Sequence, residues 1–280
     1  MVTTIGTQGE NGMASKLDWT GVVEVIERAE HDGSVVGAVA IAPSGERFGH
    51  NADRRFVAAS TVKIPIMIEL FRHVDAGTQS LDQRHRLRAE DKTSGSGVIP
   101  HMHDGIEFTV GDLAYLMMSI SDNTATNILI DRVGMDRVNA TMQSLGMANS
   151  MLGRKMRGRP VLAGEQENWA TPNDYAGAIA ALLENRAASP KACAQMIALL
   201  EKQQNDRRIA RHLPRVDRPR WGSKTGSLPG VVNDVGFVMT DSGPVIISVY
   251  CEQLTDPNWG EQIIGDLSRA ALASAGFDRQ

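Results

Sequence analysis

Lys224-Thr-Gly-Ser-Leu-Pro-Gly-Val-Val-Asn-Asp-Val-Gly-Phe-Val238 reads as the end of one strand and most of the next. With its flanks it predicts strands over residues 221–225, 231–240 and 245–251, the last two divided by the turn Asp241-Ser-Gly243. A three-stranded sheet with nothing to cover it is marginal, so partners are expected from elsewhere in the chain. Just beyond, residues 259–275 repeat apolar side chains at helical spacing. Near the other end, Leu17, Val22, Val25, Ile26 and Ala29 mark an amphipathic helix. After it, an apolar run over 35–41, the turn Pro43-Ser-Gly45 and residues 47–50 form a hairpin.

Between these ends, from Thr61 to about Leu213, the signals are mainly helical, with periodic stretches at 64–74, 110–120, 125–133, 138–145, 174–183 and 191–200. Loops rich in Gly, Ser and Pro separate some of them, notably 92–100 and 153–167. The expected fold is α+β, with one antiparallel sheet covered by the terminal helices, an all-helical lobe on its other side and a cleft between. Residues 1–16 are expected to be a flexible extension, with Met13 an alternative start, and 17–280 a single domain. Within it the sheet lobe takes about 17–59 and 220–280, and the helical lobe about 60–219. No repeat and no linker interrupts it, so the lobes are expected to share a core.

Composition narrows the function. The chain has 280 residues, 42% hydrophobic and 22% charged, the balance of an ordinary globular protein. A net charge of −4 argues against nucleic acid. The local group Arg207, Arg208, Arg211, Arg215, Arg218 and Arg220 reads as a solvated turn region. Cys193 and Cys251 form no Cys-x-x-Cys pair, and His101 and His103 sit in a loop bounded by Pro100 and Gly105, so no metal is expected. The first residues lack the apolar stretch of a secretory leader, and no run is long enough to span a bilayer. A cytoplasmic protein with no membrane partner is the expectation.

Three polar motifs carry the chemistry: Ser60-Thr-Val-Lys63, Ser121-Asp-Asn123 and Lys224-Thr-Gly226. Ser60 and Lys63 lie on one helix face, and Pro65 places the helix start close to Ser60. A hydroxyl needs a base to become nucleophilic, and Lys63 serves if burial lowers its pKa. Ser121 occupies an inter-helix turn where it can relay a proton to a leaving group, with Asn123 holding a substrate amide and Asp122 pinning the turn. Lys224 and Thr225 suit a substrate carboxylate. Gly226 lets substrate approach the strand edge, and the N–H of Ser227 pairs with that of Ser60 as an oxyanion hole. Each motif alone is commonplace, as a capped helix, a turn or a strand end; the argument lies in their joint order.

That order resembles class A β-lactamases and penicillin-binding proteins. The likeness extends to Ile120-Ser-Asp-Asn-Thr-Ala-Thr-Asn-Ile-Leu-Ile-Asp-Arg-Val-Gly134, to the stretch from Lys224 quoted above, and to the order of elements from about Leu17 to Ala275. The resemblance implies that Ser60 is acylated, Lys63 is its base or base partner, Ser121 is the proton shuttle and Asn123 contacts substrate. It makes Lys224 with Thr225 the carboxylate site, and it implies neither metal nor organic cofactor. Arg208 stands roughly where some relatives supply a second carboxylate-binding arginine, at a slightly long spacing from Lys224.

One family feature is missing. Class A enzymes carry Arg-x-Glu-x-x-x-Asn, whose glutamate activates the deacylating water, but here Arg154-Lys-Met156-Arg-Gly-Arg-Pro160 puts Met156 and Pro160 in those places. A thioether takes no proton from water. Glu165 and Glu167 lie later in the loop, and Asn168 stands where the loop closes, which favours a structural use of these acids over a catalytic one. The leading expectation is a serine hydrolase acting on a small carboxylate-bearing ester, amide or lactam with altered deacylation. The alternatives are a competent β-lactamase using Glu165 or Glu167, and a penicillin-binding or ligand-sensing protein that acylates without turnover.

Overall fold

A computed structural model describes residues 16–277, whose two ends share one sheet. The expected extension, apart from Lys16, and the alternative start at Met13 lie outside the described residues. In chain order the first elements are α1 (Thr20–His31), β1 (Val35–Ile41), β2 (Arg47–His50) and β3 (Phe56–Val57). A 3-10 turn over Ala59–Val62 leads into α2 (Lys63–Asp75), β4 (Arg84–Arg86), β5 (Glu107–Thr109), α3 (Val110–Ser119), α4 (Asn123–Val133) and α5 (Met135–Ser144). Then come β6 (Trp169–Ala170), α6 (Pro172–Leu183), α7 (Pro190–Leu200), β7 (Trp221–Leu228), β8 (Val231–Thr240), β9 (Gly243–Glu252) and α8 (Pro257–Ser274).

The main sheet runs β2-β1-β9-β8-β7, antiparallel throughout, with Val36 opposite Cys251 and Lys224 opposite Val235. Both of its faces are covered, which is why β9 is apolar at nearly every position. Alternation along it sends Val245, Ile247, Val249 and Cys251 to a core shared with Val22 and Ile26 of α1 and Ile263 and Leu267 of α8. Ile246 and Tyr250 point the other way, into the core of the helical lobe. At the centre of that lobe, α2 buries every residue from Lys63 to Phe71, the charged Lys63 and Glu69 included, so that stretch is covered on all faces. Helix α6 joins the two layers: Tyr175 meets Tyr250 edge-on at 6.0 Å between ring centroids.

Three local expectations are corrected. Lys224-Thr-Gly226 lies inside β7, not at its end, because pairing with β8 continues to Leu228 opposite Val231. The middle of the chain is not purely helical: β4 pairs with β5 and β3 with β6. Strands of two or three residues are too short to impose a period. Finally, the arginine-rich segment is not all solvated: Arg208 is buried, while its neighbours Ile209, Ala210 and Leu213 join the core under α1 and α8. Among the described residues no helix is long and apolar enough to cross a membrane.

Candidate active site

Ser60 sits in the 3-10 turn that feeds α2, and Lys63 is the first residue of the helix. Pro65 is tolerated there because the first helical turn has no intrahelical acceptor for its N–H groups. Ala59, directly before Ser60, has φ +47°, a left-handed conformation that costs a non-glycine residue about 1–3 kcal/mol at the start of the turn carrying the serine. Ser121 is left-handed as well, at φ +62°, in the break between α3 and α4.

Asp122 fixes that break. Its carboxylate accepts the N–H groups of Ala125 at 2.9 Å, capping α4, and of Val98 at 2.7 Å and Ile99 at 2.9 Å. Gly97 has φ +117°, and a Cβ there would stand 2.2 Å from the Asp122 Oδ2, so only glycine lets the loop close on this carboxylate.

These turns converge on Lys63, which is fully buried. Its Nζ lies 2.7 Å from the Ser121 carbonyl oxygen, 3.0 Å from Asn123 Oδ1, 3.1 Å from Ser60 Oγ and 2.9 Å from Ser121 Oγ. The first two are acceptors only, since the Asn123 amide nitrogen donates to the Ser94 carbonyl at 3.0 Å. Two amine hydrogens satisfy them, leaving a lone pair for a hydroxyl proton. Burial, and secondarily the charge of Lys224, pushes the Lys63 amine well below its ordinary pKa, with Asp122 opposing.

The strand β7 forms the opposite wall. Register sets Lys224 beside Val235, on the face toward the helical lobe, and Thr225 beside Asp234 on the other. Lys224 is buried and donates to the Thr225 carbonyl at 3.0 Å. Burial lowers its pKa to about 7, opposed by Asp234 and assisted by Arg208. A Cβ on Gly226 would lie 3.0 Å from the Ala58 carbonyl oxygen and 3.1 Å from the Ser60 nitrogen, so a bare strand is what allows β7 to stand against the turn that carries Ser60. Arg208 approaches from outside: it donates to the carbonyls of Gly226 at 3.0 Å and Asn233 at 2.7 Å and to Ser227 Oγ at 2.6 Å. Glu261 balances its charge at 3.4 Å.

The 153–168 loop forms the floor. Asn168 closes its neck by accepting the N–H groups of Gly153 at 2.8 Å and Arg154 at 2.9 Å. Met156 is held by Asn127, which accepts its N–H and donates to its carbonyl, both at 2.9 Å. Glu167 bonds Arg154 through both oxygens at 3.2 Å. Glu165 does the same to Arg159 at 2.8 Å, and that guanidinium, with the Leu162 N–H, holds its carboxyl down at about 2.

Two hollows meet at Ser60. One, of about 240 Å³, is lined by Asn123, Met156, Arg157, Glu167 and Ser227; the other, of about 580 Å³, by Ser121, Arg207, Arg208, Thr225 and Ser227. All nine expected residues, Ser60, Lys63, Ser121, Asn123, Arg208, Lys224, Thr225, Gly226 and Ser227, therefore border one cleft or contact a residue that does. Sequence reasoning missed Asn127, Asp234 and Glu261. A lone acid in the apolar run of β8 was a usable signal for Asp234; nothing local marks Glu261, 53 residues from Arg208. Among the described residues no cluster of His, Cys, Asp and Glu is arranged for a metal.

Known proteins resemble this chain in sequence and in fold. A family model for the beta-lactamase enzyme family matches residues 22–275. Over 274 residues the chain is 26% identical to the beta-lactamase SME-1 of Serratia marcescens, covering 94% of this chain and 91% of that one. The crystal structure of a beta-lactamase from Sphaerobacter thermophilus DSM 20745 matches with a TM-score of 0.92 at 59% identity, over 94% of this chain and 99% of that one. PBP-A, in a Leu→Glu variant solved as an acyl-enzyme complex with penicillin G, matches with a TM-score of 0.80 at 25% identity, over 89% and 94% of the two chains. The chain belongs to the beta-lactamase enzyme family and is a class A β-lactamase-like serine hydrolase.

Proposed function

We propose that Ser60 opens a small lactam, amide or ester bearing a carboxylate, and that the resulting acyl-enzyme is released without a loop glutamate. The position of the buried Lys63 amine between the hydroxyls of Ser60 and Ser121, at 3.1 and 2.9 Å, carries this reading. Neutral Lys63 takes the Ser60 proton as Oγ bonds to the carbonyl carbon. The N–H groups of Ser60 and Ser227 receive the oxyanion. As the carbon–nitrogen bond breaks, the proton passes from Lys63 through Ser121 to the leaving nitrogen, so the amine is neutral again at the acyl-enzyme. Lys224, Thr225 and Arg208 hold the carboxylate beyond the leaving group, and Asn123 holds the acyl side.

Deacylation differs from that of relatives with a glutamate in the loop. Met156 has no proton acceptor, and Glu165 is a weak base because Arg159 keeps it ionised to about pH 2. Water is then activated by Lys63 with Ser121, which is slower since that amine is placed against the hydroxyls of Ser60 and Ser121, with no separate carboxylate base to position the water. One observation favours a second reading: Glu167 lines the hollow that Ser60 borders, so it becomes a base if Arg154 releases it. The PBP-A complex with penicillin G supports acylation by penicillins in this fold.

Stopped-flow hydrolysis of a chromogenic cephalosporin, with intact mass on the same sample, is the test. The expected result is an adduct on Ser60 that forms faster than it decays, and no adduct in Ser60→Ala. Fast turnover that collapses in Glu167→Gln or Glu165→Gln selects the competent β-lactamase instead, and a permanent adduct selects a binding protein. An adduct that survives in Ser60→Ala removes the nucleophile assignment.

A further inference from the structure

We propose that the loop side of the cleft selects acyl donors carrying a second negative charge on the acyl side of the scissile bond, with Arg157 as the residue that reads it. This rests on the Ser60 acyl-enzyme reading above.

The inference begins with how the loop's charges are used. Residues 154–167 contain Arg154, Lys155, Arg157 and Arg159 against Glu165 and Glu167. Glu167 is engaged through both oxygens by Arg154, and Glu165 by Arg159. Lys155 is bonded to Asp131. Arg157 is left with a 3.8 Å approach to Glu165 Oε1, too long for a hydrogen bond, on a carboxylate that also accepts the Leu162 N–H at 2.9 Å. Its side chain is 53% exposed, and it lines the smaller hollow that Ser60 and Asn123 also line. It is the under-compensated cation of that hollow.

Its backbone is tied to the same groups that position substrate. Ser94 accepts the Asn123 amide N–H at its carbonyl, 3.0 Å away, and donates its hydroxyl to the Arg157 carbonyl at 3.1 Å. Gly158 packs so closely there that a Cβ would lie 2.5 Å from the Ser94 carbonyl oxygen. Arg157 is thus anchored directly to Ser94, the partner of Asn123, on the acyl side. Lys224 and Arg208 lie across Ser60, on the leaving-group side. A substrate with one carboxylate satisfies only that second group. With a net charge of −4 on the whole chain, the cationic cleft stands against the molecule's overall sign, the pattern of a site that draws in anions.

A matched pair of substrates isolates the effect: benzylpenicillin, and its α-carboxy derivative with one further carboxylate on the acyl side. Second-order acylation constants are read by intact mass for the wild type, Arg157→Lys, Arg157→Gln and Arg157→Glu, with thermal midpoints as a folding control. A half-exposed pair supports a modest preference, so the expected wild-type ratio favours the dicarboxylate by about five-fold. Arg157→Lys keeps part of that ratio, Arg157→Gln abolishes it and Arg157→Glu reverses it, while 1 M salt shrinks it in the wild type. Equal rates in the wild type, or an unchanged ratio in folded Arg157→Gln, overturn the inference alone. No adduct and no hydrolysis of either penicillin overturns the acyl-enzyme reading and the inference with it; where hydrolysis proceeds without accumulated adduct, the same ratio is read from kcat/KM.

Discussion

A lysine acts as a base only while unprotonated, and it holds a carboxylate electrostatically only while protonated. The two buried lysines here are asked for opposite states. Lys63, pushed well below its ordinary pKa, must be neutral for acylation, so activity falls on the acid side as it takes up a proton. Lys224, lowered to about 7, must be charged to hold the carboxylate, so affinity falls as pH rises through neutrality, leaving Arg208 alone. A bell-shaped profile of acylation efficiency in the free enzyme is expected, with its alkaline limb near pH 7. Removing that limb in Lys224→Arg, whose guanidinium does not titrate, checks the assignment; an alkaline limb that persists there at the same pH refutes it. Met156 supplies the second test at this scale. Its backbone is fixed by Asn127 on both sides, so Met156→Glu puts a carboxylate at a defined place in the hollow beside Ser60. Deacylation followed by mass should quicken by about 100-fold, the contribution of one general base, with acylation still observed. Unchanged decay of the adduct counts against a missing base as the cause of slow release.

Among the elements, the break between α3 and α4 depends on one side chain. Asp122→Ala removes the cap of α4 and leaves the buried N–H of Ile99 and the partly buried N–H of Val98 without their acceptor. A loss of about 3–5 kcal/mol in urea unfolding is expected, since each orphaned donor costs about 1–3 kcal/mol. A loss under about 1 kcal/mol means that the loop and helix find other partners. How far the elements were legible follows from what sets each one. The runs of β8 and β9 and the periods of α2 to α8 were visible because burial on one or two faces writes itself into consecutive residues. The extent of β7 was not, because Gly226 and Ser227 have poor strand propensity and are strand only through pairing with β8. The motifs located Ser60, Lys63, Ser121, Asn123 and Lys224. The burial of Arg208 was hidden because its partners Gly226, Asn233 and Glu261 come from other elements, and tertiary contacts overrode a segment that reads locally as solvated.

For the molecule as a whole, cooperativity follows from the sheet's two covered faces. Tyr250 and Ile246 belong to the helical-lobe core while Val249 and Cys251, their neighbours on the same strand, belong to the core under α1 and α8. Neither layer loses its packing without exposing β9. Far-UV circular dichroism, dominated by the helices, and the fluorescence of Trp19, Trp169, Trp221 and Trp259 are expected to report one coincident urea transition. Separate midpoints mean that the lobes unfold independently. The last strand of the sheet has a further consequence. β7 pairs on one side only, with β8, and a strand with an open flank is a template for sheet growth, including self-association between copies. Here the turn carrying Ser60 packs on the face of β7, with the Ala58 carbonyl oxygen 3.0 Å from where a Gly226 Cβ would be, and Thr225 and Ser227 at the open flank line the same hollow as Ser60 and Ser121. A strand that added to this flank would lie in that hollow, so self-association through β7 and occupancy of the cleft exclude each other.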